Sequence, residues 1–392
     1  MTKHARMIAL VVIPALGVLA APCANATPGQ ISLLASFDFT TTGASPGGTL
    51  IDVGGTLYGT TLSGGPYGNQ IEDGAGVLFS YVPGTNTLTP LVDFNGINGT
   101  YPAAALTNVG GTLHGTTNAG GANGDGVLFS YAPGTNTLTP LANFDGSNGA
   151  APAADLADVN GTLYGTTSLG GAGDYGALYS YVPGTHTLTV LESLANNSTG
   201  TNPTAGFTDV GGTLYAPITI GGPDSNGIVV SYSPGTGVLA SLASFDGALY
   251  SYVPGTNTLT LLASFDSNDG TNPESGLTDV NGTLYGTTVN GGTSNDGVVF
   301  SYTPSTGTLA TLASLDGSDG ALPVAGLTDV DGTLYGTTSS GGAHDDGTLF
   351  SFALPEEVSV PGPPGLGIFG LGALLIGLLA NLRRRADWQI GA

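Results

Sequence analysis

The chain has 392 residues, with 28 acidic side chains against 5 basic ones and a formal net charge of −23. All the basic residues lie at the ends (Lys3, Arg6, Arg383, Arg384 and Arg385), so residues 27–354 contain neither Lys nor Arg. That excludes nucleic-acid binding by phosphate neutralisation, an arginine clamp on carboxylates or phosphates and a lysine Schiff base. Cys23, the single cysteine, also lies outside this stretch, which leaves it no thiol catalysis, disulfide or cysteine-ligated zinc.

The N-terminus reads MTKHAR, then MIALVVIPALGVLAA, then PCANA. A short basic stretch, an apolar run and a small-x-small site make a secretory signal peptide. The predicted cleavage follows Ala26, so residues 1–26 are removed and Cys23 goes with them. An uncleaved anchor is the alternative; Pro14 and the ANA site argue against it.

Residues 27–355 are read as one repeat domain. The string GTLYGTT or a close variant starts at Gly55, Gly111, Gly161, Gly212, Gly282 and Gly332, at spacings of 56, 50, 51, 70 and 50 residues. Each copy opens on a Gly-Gly, Asn-Gly or Asp-Gly pair, such as Asn160-Gly161 or Asp331-Gly332. Those residues tolerate positive φ at both turn positions, which favours the tight hairpin. A glycine loop follows, then a run such as GVLFSY that is apolar on both faces, as a covered strand requires. A Pro-Gly turn leads to a last strand that carries Pro90 and Pro140 in two copies, so this strand is predicted at a sheet edge.

Four strands in about fifty residues, stacked face to face, describe a β-propeller blade. The predicted fold is therefore all-β, a six-bladed β-propeller. The segment Ile31–Phe39 matches a fourth strand, and the sixth unit stops at its third strand, so the N-terminal strand is predicted to close the ring. An open solenoid, the competing arrangement, would need caps that the sequence does not show.

The irregular spacing has a simple cause. Residues 227–246 and 247–266 are aligned copies with 12 identities in 20 positions, and 247–260 differ from 176–189 only at Asn257 against His186. The insert 247–266 is a duplicated hairpin, expected on the outer edge of blade four.

The unit Gly276–Gly317 is similar to the GloVer tandem repeat of bacterial surface proteins. The similarity recurs over residues 31–354. It implies an exported, surface-displayed repeat protein and carries over no catalytic residue.

Asp recurs at three equivalent places: before the hairpin turn (Asp52, Asp158, Asp209, Asp279, Asp329), at the end of the outer strand (Asp38, Asp145, Asp246, Asp266, Asp316) and in the glycine loop (Asp125, Asp296, Asp346). Asp at turns bonds nearby amides, and negative charge favours solubility. The sharper reading is calcium: GGANGDGVL and GGTSNDGVV resemble the calcium nonapeptide, which makes Asp125, Asp296 and Asp346 the candidate metal ligands. His114, His186 and His344 share no spacing that suggests a metal or catalytic site, and no singular Glu stands out among Glu72, Glu192 and Glu274. The recurrent Tyr58, Tyr164, Tyr215, Tyr285 and Tyr335 are read as core, with a sugar-stacking surface as the alternative.

At the C-terminus, residues 356–392 hold a linker and an apolar run from about Leu366 to Leu382, followed by Arg383, Arg384 and Arg385. This run just suffices to cross a bilayer as one helix, and the arginines would stay cytoplasmic. With Pro361 and Pro363 ahead of it, the segment resembles a PEP-CTERM sorting signal of Gram-negative bacteria, with Gly362 where Glu is usual. That resemblance implies an exosortase-type processing enzyme as a partner, at least transient contact with the inner membrane, and a biofilm or exopolysaccharide setting.

The sequence thus predicts a non-catalytic exported surface or matrix protein, structural or adhesive, with no nucleic-acid partner and no catalytic residue. A calcium-assisted glycan-binding module is the second reading, and a secreted glycosidase or lyase the third.

Overall fold

The computed structural model describes residues 29–354 except 69–74, 195–202, 204–205, 211–212, 219–227, 245–248, 254–257, 264–269 and 274–275. The signal segment with Ala26, the C-terminal segment with Pro361, Pro363 and Arg383–Arg385, and Asp246 and Asp266 lie outside the described residues. Among the described residues, no helix is long and apolar enough to cross a membrane.

Among the described residues, every regular element is a β-strand. β1 (Ile31–Ser36) precedes the first unit, which holds β2 (Ala44–Pro46), β3 (Ile51–Val53), β4 (Thr56–Ser63), β5 (Val77–Val82) and β6 (Thr87–Asp93). The second unit is β7 (Thr107–Val109), β8 (Thr112–Thr117), β9 (Val127–Ala132) and β10 (Thr137–Asn143); the third is β11 (Ala157–Val159), β12 (Thr162–Thr167), β13 (Ala177–Val182) and β14 (Thr187–Ser193). The fourth is β15 (Thr208–Val210), β16 (Thr213–Ile218), β17 (Ile228–Ser233) and β18 (Val238–Ser244), followed by the hairpin β19 (Leu249–Val253) and β20 (Thr258–Ala263). The fifth is β21 (Thr278–Val280), β22 (Thr283–Thr288), β23 (Val298–Thr303) and β24 (Thr308–Ser314), and the sixth is β25 (Thr328–Val330), β26 (Thr333–Thr338) and β27 (Thr348–Ala353).

Units two to five each form an antiparallel four-stranded sheet in chain order, and the first adds the short β2 beside β4. The sixth sheet runs β1-β27-β26-β25, so the N-terminal strand supplies its fourth member. The Pro-bearing β6 and β10 sit at sheet edges, where a residue without an N–H costs no ladder bond. Each outer strand meets its neighbour with a register shift, as between Leu78 and Phe79 opposite β6. Such bulges twist an edge and end its pairing.

The core lies between neighbouring sheets. Leu78 of the first unit packs with Leu113, Phe129 and Tyr131 of the second. Phe79 packs with Tyr335 and Leu349 of the sixth, and Val299 of the fifth with Leu334 and Phe350 of the sixth. Hydroxyls bridge the same seams. Thr107 Oγ1 donates to the Leu156 carbonyl at 2.7 Å, and Thr328 Oγ1 donates to the Leu50 carbonyl at 2.6 Å, linking the last unit to the first.

The insert departs from expectation. β19 and β20 form a two-stranded sheet of their own instead of extending the edge of β18. The physical reason is in the strands: β18 carries the outer-strand bulge, between Val229 and Val230 of its partner, while β19 copies a third strand, a central element.

Candidate functional site

The antiparallel order puts the two tight turns of each unit at one end of its sheet. The glycine loops and the connections between units lie at the other.

At the turn end the strand-one carboxylates are occupied. Asp52 Oδ1 accepts the Gly55 N–H at 2.8 Å, Asp158 that of Gly161 at 2.7 Å, Asp279 that of Gly282 at 2.7 Å and Asp329 that of Gly332 at 3.0 Å. In the second unit Asn108 does the same for Gly111 at 2.9 Å. Each side chain closes the turn three residues on, with Gly54 and Gly55 both at positive φ in the first copy. Desolvation by the crowded turn raises the pKa values of Asp52 and Asp329, exposed though both are, with nearby Asp331 adding repulsion.

The outer-strand aspartates cap loops in the same way. Asp145 Oδ1 accepts Ser147 Oγ–H at 2.7 Å and the Asn148 N–H at 2.9 Å. Asp316 Oδ1 accepts from Ser318 Oγ at 2.6 Å and from the Ser318 N–H at 3.0 Å. The serine hydroxyl bonds lead in lowering both pKa values. The Asp38 pKa is lowered first by the Thr40 hydroxyl bond.

Asp125, Asp296 and Asp346 fall in three different glycine loops, one per sheet. Their backbone carbonyls accept the N–H groups of Ala151, Leu322 and Ser45 at 3.0, 3.0 and 2.8 Å, which ties each loop to the next connection. Asp346 Oδ2 also accepts the Phe39 N–H at 2.8 Å. Among the described residues, no three His, Cys, Asp or Glu side chains gather where they could hold a metal ion.

The histidines are likewise dispersed. His114 is 5% exposed and its Nδ1 has no hydrogen-bond partner; burial depresses its pKa. His186 Nδ1 lies 3.1 Å from the Tyr181 hydroxyl in a turn. Three of the GTLYGTT tyrosines pack across the seams: Tyr58 with Tyr131 at 6.3 Å, Tyr164 with Tyr232 at 6.2 Å and Tyr335 with Tyr81 at 6.4 Å between ring centres. They serve as seam residues. Among the described residues, the exposed aromatics are instead Tyr67 and Tyr175, both at the glycine-loop end.

One carboxylate has no counterpart in the other units. Asp155 Oδ1 accepts the Ala105 N–H of the preceding unit at 2.6 Å. Thr49 makes the equivalent bond to the Gly326 N–H at 2.9 Å. Solvent reaches Asp155, yet backbone crowds the carboxyl and desolvation raises its pKa. The sequence reading passed over it; its one signal was a lone Asp where other units carry Ala, Gly or Thr.

A family model described as the Gloeobacter/Verrucomicrobia repeat matches residues 24–230 and 230–360. No curated protein sequence matches the chain. Among solved structures, the extracellular domain of BT4673 from B. thetaiotaomicron aligns with a TM-score of 0.55 at 15% identity, covering 80% of this chain and 39% of that one. This chain thus spans about two fifths of that relative's length. An oligogalacturonate lyase in complex with manganese aligns with a TM-score of 0.52 at 12% identity, covering 85% of this chain and 98% of that one. A chain of a mitotic checkpoint complex aligns with a TM-score of 0.51 at 12% identity, covering 89% and 99%. At such identities the likeness is one of fold.

Proposed function

Because the chain belongs to the Gloeobacter/Verrucomicrobia repeat family, we propose that it is an exported, non-catalytic scaffold: a six-bladed propeller displayed at a Gram-negative surface or released into the matrix around it. The observation that carries this reading is the use of the recurrent carboxylates. Asp52, Asp158, Asp279 and Asp329 each hold their own turn, so the most regular chemistry in the sequence is spent on the fold. Six sheets of four or five strands, with β1 completing the last, support a closed ring.

The signal segment ending at Ala26 supports export. The apolar run ahead of Arg383–Arg385, with Pro361 and Pro363, supports membrane insertion and handling by an exosortase-type enzyme. The fold is shared with an extracellular domain, which fits the same placement. Cell fractionation tests it. The full chain should leave the cytoplasm with Thr27 as its new first residue, and a chain ending at Pro355 should be released rather than retained. Cytoplasmic accumulation with Met1 intact would overturn the reading.

A calcium-assisted glycan-binding module is the second reading. It draws on exposed Tyr67 and Tyr175, which share the glycine-loop end with Asp125, Asp296 and Asp346. Thermal unfolding with calcium and then chelator separates the two. Calcium at ~100 times its dissociation constant would add about 2.7 kcal/mol, a rise of several degrees; no shift leaves the scaffold. Turnover of a polysaccharide, abolished by one Asp or Glu substitution, would favour a glycosidase or lyase instead.

A further inference from the structure

Residues 27–355 hold none of the side chains that oxidants attack first. Cys23, Met1, Met7 and Trp388 all lie outside this stretch, so neither the thiol nor the thioether route of oxidation is open to it. The phenol of tyrosine is the most readily oxidised group that remains. An oxidising equivalent delivered to this domain therefore ends on tyrosine.

Three seams set two tyrosines from different units side by side. Tyr58 of β4 and Tyr131 of β9 lie 6.3 Å apart between ring centres with their planes at 52°. Tyr164 of β12 and Tyr232 of β17 lie at 6.2 Å and 46°, and Tyr335 of β26 and Tyr81 of β5 at 6.4 Å and 50°. In the first two pairs the phenol ends face each other. Desolvation raises the pKa values of Tyr131 and Tyr232, and the facing phenol, Tyr58 or Tyr164, adds to the rise. At neutral pH both partners are thus uncharged phenols, each with a hydrogen to lose.

Solvent access separates the three pairs. Tyr58 and Tyr164 are half-buried, so an oxidant in solution reaches one ring of each pair, while its partner, Tyr131 or Tyr232, is covered. In the third pair Tyr335 and Tyr81 are both covered.

We propose that the pairs Tyr58–Tyr131 and Tyr164–Tyr232 are sites of oxidative cross-linking, at which hydrogen peroxide, activated by a haem-type one-electron catalyst, joins the two rings and staples neighbouring units together. Each ring loses one hydrogen atom, and a carbon–carbon bond forms between the positions next to the two hydroxyls. The peroxide takes up the two electrons and two protons and leaves as two waters, and both hydroxyls are retained. A partner held at contact distance acts as a high effective concentration. Two copies of the chain, each with a net charge of −23, repel one another. Both effects favour the bond within one molecule over a link between molecules.

The test treats the full chain, in dilute solution, with hydrogen peroxide and a small haem peptide. Digestion ahead of aspartate follows, because Lys and Arg occur only at the chain ends. The blue fluorescence of dityrosine should appear in the monomer. Mass spectrometry should find the peptide bearing Tyr58 joined to that bearing Tyr131, and Tyr164 likewise joined to Tyr232, each link two hydrogens lighter than its parts. Tyr335 and Tyr81 should stay unlinked. Tyr58→Phe, which keeps the ring, should remove only the first link and Tyr164→Phe only the second, so the surviving link in each variant reports an intact fold. Coupling mainly between molecules through the more exposed Tyr67 or Tyr175 would overturn the proposal. So would equal yield at the covered pair, a first link that survives Tyr58→Phe, or no link once the peroxide is consumed.

Discussion

Gly59 and Phe79 face each other across β4 and β5, and a β-carbon at Gly59 would lie 2.7 Å from the Phe79 Cζ. The aromatic ring occupies the space that any other residue at position 59 would need. Four further units repeat the pairing, and the fourth unit keeps the combined size by a different division, Ala216 with Val230.

Gly336→Ala, opposite Phe350, should therefore destabilise the domain by about 1–3 kcal/mol, because the ring has no free volume to enter. Val230→Phe should do the same in the fourth unit, and Ala216→Gly added to it should recover much of the loss. Urea unfolding of the single and double variants measures the coupling. Additive effects would show that the two positions do not share space.

Tyr179 stands where four other units have Phe, and its buried hydroxyl has no hydrogen-bond partner. Burial drives its pKa far up, so it stays neutral. Tyr179→Phe removes an unsatisfied polar group without a change of shape and should stabilise by roughly 1 kcal/mol. A lower melting temperature would indicate an unseen partner for the hydroxyl.

His114 replaces a seam tyrosine, and its pKa lies below the ordinary 6.5 because burial penalises the charged ring. The unfolded chain therefore binds this proton first as the pH falls. Stability should be full above about pH 6.5, decline as pH drops towards the folded value, and level off below it. His114→Tyr should remove that part of the slope; melting temperatures of both proteins between pH 4 and 8 provide the comparison.

Asp158 separates the turn-forming from the metal-binding role of the aspartates. Asp158→Asn should be nearly silent, since Asn108 already closes the equivalent turn in the second unit. Asp158→Ala should cost roughly 1 kcal/mol by leaving the Gly161 N–H without its acceptor. Neither should alter a calcium titration; a calcium response lost in Asp158→Asn would make the carboxylate a ligand.

The strand plan was legible because turn chemistry and prolines are local signals. Asn160-Gly161 marks a hairpin wherever it sits, and Pro90 marks an edge before any sheet is known. Pairing of Ile31–Ser36 with the last strand could be read because both ends of the array are incomplete units. The position of 247–266 could not, since sequence copies a strand without saying which neighbour it will find. Asp155 was missed for a related reason: its partner, the Ala105 N–H, is 50 residues away and belongs to a different unit. The three glycine-loop aspartates were legible as a recurring set, but recurrence every fifty residues places them on separate sheets rather than in one site.

The closure of the sixth sheet also decides how the domain would bear a pull. β27 is the last strand before Leu354, and it is laced to β26 on one side and to β1 on the other. A tether attached beyond Leu354 delivers its force to a strand gripped along both edges, so that two ladders must shear before it comes free. β1 itself hangs on a single ladder, and a pull applied beyond Leu354 does not enter the sheet through it. The weakest seam is thus kept out of the line of tension.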